Sequence, residues 1–275
     1  MNDGTVIFLS HGGGPMPLLG APSHQAMVAT LNTIAKQIVK PSAILVISAH
    51  WEADPVMVTS AAAPDLIYDY GGFPSAAYDI SYPCKGEPAL AAQVLTALQS
   101  HGIEARENVN RGYDHGLFVP LKIMYPEADI PCVQLSLSSS LDASFHLLLG
   151  KALRQIQWND LLVVGSGFSF HNMRAFFTPS QQMKLHNQAF ESWLGSTLCT
   201  QDMSEPVREQ NLAHWQQAPG ARECHPREEH LLPLHVCYGL AGRACDQDYS
   251  VEILGYQASM FVWFGKNIES FSNLE

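Results

Sequence analysis

The sequence predicts a single α/β domain over residues 1–275, built on a central mixed, mostly parallel sheet flanked by helices. Three observations predict it. Thr5 to Ser10 (TVIFLS), Ala43 to Ser48 (AILVIS) and Leu161 to Ser166 (LLVVGS) are short, almost wholly apolar and rich in branched side chains, as strands covered on both faces are. Stretches of helical spacing separate them, which is how parallel strands are joined. Hydrophobic residues make up 47% of the chain and charged residues 15%, enough for a large core, and no linker divides it.

The first strand, Thr5 to Ser10, runs into His11-Gly12-Gly13-Gly14-Pro15, where consecutive glycines allow a close backbone approach. From His24 to Val39, residues Met27, Leu31, Ile34, Ala35 and Ile38 share one side of a helix, giving a βαβ unit with the strand that ends just before His50. Pro55 to Ser60 adds a strand. Asp65 to Tyr82 is a long loop carrying Tyr68, Tyr70, Phe73 and Tyr78; long loops in compact domains are usually functional or disordered, and the aromatic content favours the former. Glu87 to His101 is a second amphipathic helix. Arg111 to Gly116 is a polar turn before the apolar segment Leu117 to Met124, and Cys132 to Leu137 is a strand. Leu141 to Ile156 is the helix leading to the strand that approaches His171. Ser180 to Gln217 is mostly helical, and Glu228 to Leu240 is a helix starting near His230 and interrupted by Pro233. Two short strand-like runs between Ser250 and Phe264 close the sheet antiparallel. There is no internal repeat.

The formal charge of -11, with only 15 Lys plus Arg, disfavours nucleic acid or an anionic membrane as partner and favours a small molecule. The six cysteines form no CxxC pair, and no signal-peptide pattern opens the chain, so reduced thiols in a cytoplasmic protein are expected. No apolar run reaches the ~18 residues of a membrane span. Homo-oligomerisation is left open.

The 12 histidines divide by position. His24, His101, His146, His186 and His214 lie in or beside amphipathic helices and read as solvent-facing or packed. His225 and His235 are each five residues from His230 and would point away from it on a regular helix. His11, His50, His115, His171 and His230 stand instead at strand ends, in a glycine-bearing turn or at a helix start. Strand ends on one sheet edge are where ligands bind, and neutral imidazoles converging there suit Zn(II) or Fe(II). A rival reading is a hydrolase. His11-Gly12-Gly13-Gly14 imitates an oxyanion loop and Gly167-Phe168-Ser169 half of a nucleophile elbow, but His171 stands where G-x-S-x-G needs its second glycine. A zinc or serine hydrolase on this edge is the second reading, and a non-catalytic binder of metal or small aromatics the third.

The set Ser10-His11-Gly12 with Pro15-Met16, Ser48-Ala49-His50-Trp51, Asp69 to Pro74 (DYGGFP), Asp114-His115-Gly116, Pro131 to Ser136 (PCVQLS), His171-Asn172 and Glu229 to Leu234 (EHLLPL) resembles the class III extradiol ring-cleaving dioxygenases, in their DOPA 4,5-dioxygenase branch. The likeness runs from residue 6 to about residue 260; HGGGP is one residue longer than the HGxP usual in the branch. It implies an enzyme that uses O2 to open a catechol ring beside its two hydroxyls, with Fe(II) as working metal and Zn(II) as alternative or as-isolated ion. It also implies His11, His50 and His230 as ligands, and His171 as a fourth ligand or a base. His115 is then the acid/base residue, in contact with substrate, and Asp114 orients it. Tyr68, Phe73 and Tyr78 wall the aromatic substrate. Asn172 fixes the His171 ring, and Glu229 is a carboxylate beside the third ligand.

Overall fold

Alternate residues of the apolar strands face opposite layers of one sheet, because successive side chains in a strand point to opposite sides. Val6, Phe8, Leu45, Ile47, Val133 and Val163 share one core, and Ile7, Leu9, Ile44, Val46, Leu162 and Val164 the other. The computed structural model describes residues 4–265; residues 1–3 and 266–275 of the expected domain lie outside the described residues. In chain order its elements are β1 (Thr5–Ser10), α1 (Gln25–Gln37), β2 (Ala43–Ala53), β3 (Val56–Thr59), α2 (Pro88–Ser100), β4 (Ala105–Asn108), α3 (His115–Met124), β5 (Cys132–Ser138) and α4 (Ala143–Leu153). There follow β6 (Leu161–Gly167), α5 (Met173–Phe177), α6 (Gln181–Cys199), α7 (Glu205–Ala213), α8 (Ala221–Cys224), α9 (Leu232–Ala241), β7 (Gln247–Ile253) and β8 (Tyr256–Trp263).

The strands form one mixed sheet in the order β4-β3-β5-β2-β6-β1-β8-β7. Its centre, β5, β2, β6 and β1, is parallel, while β3 and β8 join antiparallel on either side. Helices α1 and α3 cover one face through Met27, Leu31, Ile34, Leu117, Phe118 and Leu121. Helices α2, α4, α6 and α9 contribute Leu90, Leu147, Phe190 and Val236 to the other. The predicted fold class is therefore observed. The closing pair β7 and β8 is antiparallel, as expected, and turns through Leu254 and Gly255, both at positive φ (54° and 83°), the geometry of a tight hairpin.

Four expectations need correction. Strand β2 does not stop at Ser48 but continues to Ala53, so His50 lies within it. The Arg111 to Met124 stretch is not a turn and an undefined apolar run: from His115 onward it is helix α3. Pro233 does not interrupt its helix but stands in the first turn of α9, where its missing N–H has no intrahelical partner to lose. The short edge strand β4 (AREN) was not expected, since its polar sequence has no strand pattern. The six cysteines are free thiols. Among the described residues no helix is long and apolar enough to cross a membrane.

Candidate active site

Sheet register brings the strand ends level. Ser10 pairs with Gly167 and Ser48 with Ser166, so the residues that follow β1, the apolar run of β2 and β6 stand side by side at one edge. His11 is the first residue past β1, and its N–H donates to the Gly167 carbonyl at 2.9 Å. His50 arrives differently. Ile47 pairs with Leu135 and Glu52 with Leu137, so the run from Ser48 to Trp51 stands against Ser136 alone. Such a bulge bends the strand and re-aims its side chains. The Ser48 hydroxyl fixes the bulge, accepting from the His50 N–H (3.2 Å) and donating to Asp114 Oδ1 (2.7 Å). Gly116, in the first turn of α3, makes room for it: a Cβ there would lie 2.4 Å from Ser48 Oγ and 3.1 Å from the His50 ring. His230 enters from the turn before α9, and its carbonyl accepts from the Phe168 N–H.

The three rings converge, with His11 and His50 facing each other through Nε2. His11 Nε2 and His50 Nε2 are 3.0 Å apart, and His11, His50 and His230 each offer a nitrogen within 4.8 Å of the others. Hydrogen bonds set the tautomers of His11 and His230. Ser166 Oγ donates to the Gly116 carbonyl, so at 3.0 Å from His11 Nδ1 it accepts, leaving His11 Nε2 bare. His230 Nδ1 donates to Glu229 Oε1 at 2.9 Å, which leaves its Nε2 bare as well. Burial, reinforced by the neighbouring histidines, holds His11 and His50 well below the usual histidine range and lowers His230 to about 3. Neutral imidazoles with facing lone pairs repel unless a cation lies between them. Two nitrogens each about 2.1 Å from a divalent ion stand about 3 Å apart at a right angle, the separation found here. The donor set, all imidazole and without thiolate, fits Fe(II) or Zn(II).

His115 stacks obliquely on His50, ring centroids 3.9 Å apart, and Tyr70 meets it edge-on at 5.7 Å. Phe73, Tyr68 and Tyr78 surround Tyr70 at 5.6, 6.1 and 5.7 Å. On the other side His171 lies flat on His230 at 3.4 Å, and Glu229 Oε1 also reaches His171 Nδ1 at 3.3 Å. Burial works to raise the Glu229 pKa, but its bonds to His171 and His230 outweigh it and keep the carboxylate well below its usual range. Arg227 contacts Glu229 at 3.2 Å and forms a two-pronged ion pair with Glu52 (2.5 and 2.7 Å) at the rim.

Residues 5–262 match the family described as the catalytic LigB subunit of aromatic ring-opening dioxygenase. The chain belongs to the LigB family. It is 39% identical to Dioxygenase tasH of Hapsidospora irregularis, over 96% of this chain and 86% of that one. It is 38% identical to a 4,5-DOPA dioxygenase extradiol of Beta vulgaris, over 86% and 87%. It is 33% identical to the 4,5-DOPA dioxygenase extradiol of Escherichia coli strain K12, over 85% and 84%. The crystal structure of an uncharacterized protein from Escherichia coli K12 superposes with a TM-score of 0.75 at 27% identity, covering 94% of this chain and 99% of that one.

Within this LigB site two expected contacts are made by other residues. Asp114 does not touch the His115 side chain: its buried carboxylate accepts from Ser48, Arg111 (3.0 Å) and Gln134, and so braces the His50 bulge. The carboxylate on His115 is Asp69, whose Oδ1 accepts from His115 Nδ1 (2.7 Å) and from its backbone N–H (3.0 Å). Asn172 does not hold the His171 ring either. It caps α5, accepting from the Ala175 N–H at 3.1 Å, and donates to the Glu223 carbonyl at 2.7 Å. Of the tyrosines, Tyr70 rather than Tyr68 or Tyr78 is nearest His115; the Tyr68 hydroxyl donates to the Ile80 carbonyl. Asp69 and Tyr70 open the DYGGFP run, the one signal by which they could have been found.

The remaining buried histidines are structural. His24 Nε2 accepts from the Gly13 N–H at 3.0 Å and fills the space under Gly12, which absorbs the longer HGGGP turn. His146 Nε2 accepts from the Ser138 N–H, and His225 and His235 bond to the Ser169 and Leu212 carbonyls. Ser169 is no exposed nucleophile: it is fully buried, and its hydroxyl donates to Glu191 Oε1 at 2.7 Å.

Proposed function

We propose that this protein is a metal-dependent extradiol dioxygenase that opens the ring of a catecholic substrate, DOPA-like or related, and places both atoms of O2 in the product. The observation that carries the reading is the convergence of the His11, His50 and His230 nitrogens beside His115 and a tyrosine-lined loop. The names of the relatives from Beta vulgaris and Escherichia coli support a catechol as substrate class. His11, His50 and His230 would hold the working Fe(II), and the same imidazoles suit Zn(II). When bound, the ion supplies a shared electron-transfer centre for catecholate and O2, which overcomes the spin mismatch between them.

The chain's own residues do the rest. His115 Nδ1 is committed to Asp69, which leaves Nε2 to take a proton from a substrate hydroxyl and to return it as the ring opens. Glu229 holds the Nδ1 protons of His230 and His171, so that His230 offers a lone pair at Nε2. His171 is the second proton carrier on the opposite side. Tyr70, backed by Phe73, Tyr68 and Tyr78, gives the aromatic ring an apolar wall and holds it in one orientation.

The test is oxygen uptake by protein loaded anaerobically with Fe(II) and given DOPA, protocatechuate or other catechols. Uptake matched mole for mole by a yellow ring-opened product is expected. Iron-loaded protein that consumes no oxygen with any catechol would overturn the reading in favour of a hydrolase or a binding protein.

A further inference from the structure

We propose that Asp69 is the positioning residue of His115: it fixes the ring as the Nδ1–H tautomer, aims Nε2 at the substrate, and ties the proton carrier to the loop that walls the substrate. The proposal rests on the reading of His115 as the acid/base residue.

One oxygen, Oδ1, accepts both the ring proton at 2.7 Å and the backbone N–H of His115 at 3.0 Å. The second of these bonds satisfies an N–H at the first residue of α3 that has no partner within the helix. Two bonds from one residue to one oxygen fix the ring relative to its own backbone, which a single contact cannot do. The rival role for Asp69, a metal ligand, fits less well. Its other oxygen, Oδ2, lies 3.7 Å from His50 Nδ1, whereas the imidazole cluster forms at His50 Nε2, across the ring. Asp69 therefore stands behind His50, against His115. The next residue, Tyr70, touches the same His115 ring, so one short run carries both the carboxylate and the nearest aromatic surface. A loop displaced by a poorly fitting substrate would take the carboxylate with it and release the His115 ring.

The experiment compares Asp69→Ala and Asp69→Asn with the wild type, each loaded with metal. Asp69→Ala should lower kcat by about 10- to 100-fold while its metal content is unchanged and KM moves little. Asp69→Asn keeps an oxygen acceptor and should recover part of the rate. Ring-nitrogen NMR of the Zn(II)-loaded protein supplies a readout independent of turnover. Wild-type His115 should show a protonated Nδ1 and a bare Nε2, and Asp69→Ala should average the two tautomers. An unchanged tautomer in Asp69→Ala, unchanged kcat, or loss of metal together with activity overturns the proposal. If no catechol is turned over but the tautomer responds as expected, the functional reading fails and the positioning of His115 by Asp69 stands.

Discussion

His50 and His115 are packed ring on ring, 3.9 Å between centroids, yet their nitrogens meet different partners. His50 Nε2 faces His11 Nε2, while His115 is held by Asp69. His50→Ala should therefore lose bound metal and turnover together, whereas His115→Ala should keep its metal and lose turnover. Metal content and oxygen uptake on the same samples separate the two. A His50→Ala protein with its full complement of metal would remove His50 from the ligand set. Residues of this kind were legible in the sequence when a strand indexed them, as His11 and His50 are by the apolar runs before them. Asp69 was not, since a loop brings it to His115 across 46 positions with no periodic pattern to announce the meeting. Asn172 was misplaced for a related reason: an Asn ahead of a helix start is a helix cap as readily as a partner for the adjacent ring.

At the scale of elements, the site depends on where α3 meets the bulge of β2. Gly116 lets the helix start against Ser48 and His50, so Gly116→Ala should push the bulge outward. The expected cost is about 1 to 3 kcal/mol of stability from overpacking, with Zn(II) affinity falling as His50 is displaced. Urea unfolding and a competitive chelator titration measure the two effects; a variant unchanged in both would show that the contact relaxes freely. The bulge itself could not be read from AILVISAHWE, because it is a mismatch between that run and β5, whose partner choice is a tertiary fact. Helix α3 was hidden by composition: its ten residues are buried almost throughout, so no polar face marks a helical period, and Pro120 lies inside it. Strands β1 and β6, with no such conflict, fall where the apolar runs put them.

Across the whole molecule, buried titratable groups pull stability in opposite directions with pH. Glu191 on α6 is enclosed between Ser169 and Ser259, and burial raises its pKa from 4.5 to about 7 against the bonds from both serines. Between those values the folded chain keeps a proton that the unfolded chain has released, so stability falls as pH rises through that interval. His146 and His225 do the reverse. Burial lowers them from 6.5 to about 4 and about 3, so the unfolded chain gains protons first as pH drops below 6.5 and stability falls with acidification. Glu191→Gln should abolish the first slope alone, a difference of up to about 3 kcal/mol across the interval. Unfolding free energies over a pH series report it, and wild-type and variant curves that stay parallel would rule it out. The sheet order also has a consequence for synthesis. Strand β1, made first, lies between β6 and β8, whose residues are 161–167 and 256–263, so it has no neighbour until most of the chain exists. The third imidazole, His230, and the Arg227 that bonds Glu52 at the rim leave the ribosome later still than β6. On the proposed ligand set, a nascent chain therefore carries His11 and His50 without their third imidazole for most of its elongation, and metal loading would wait for His230.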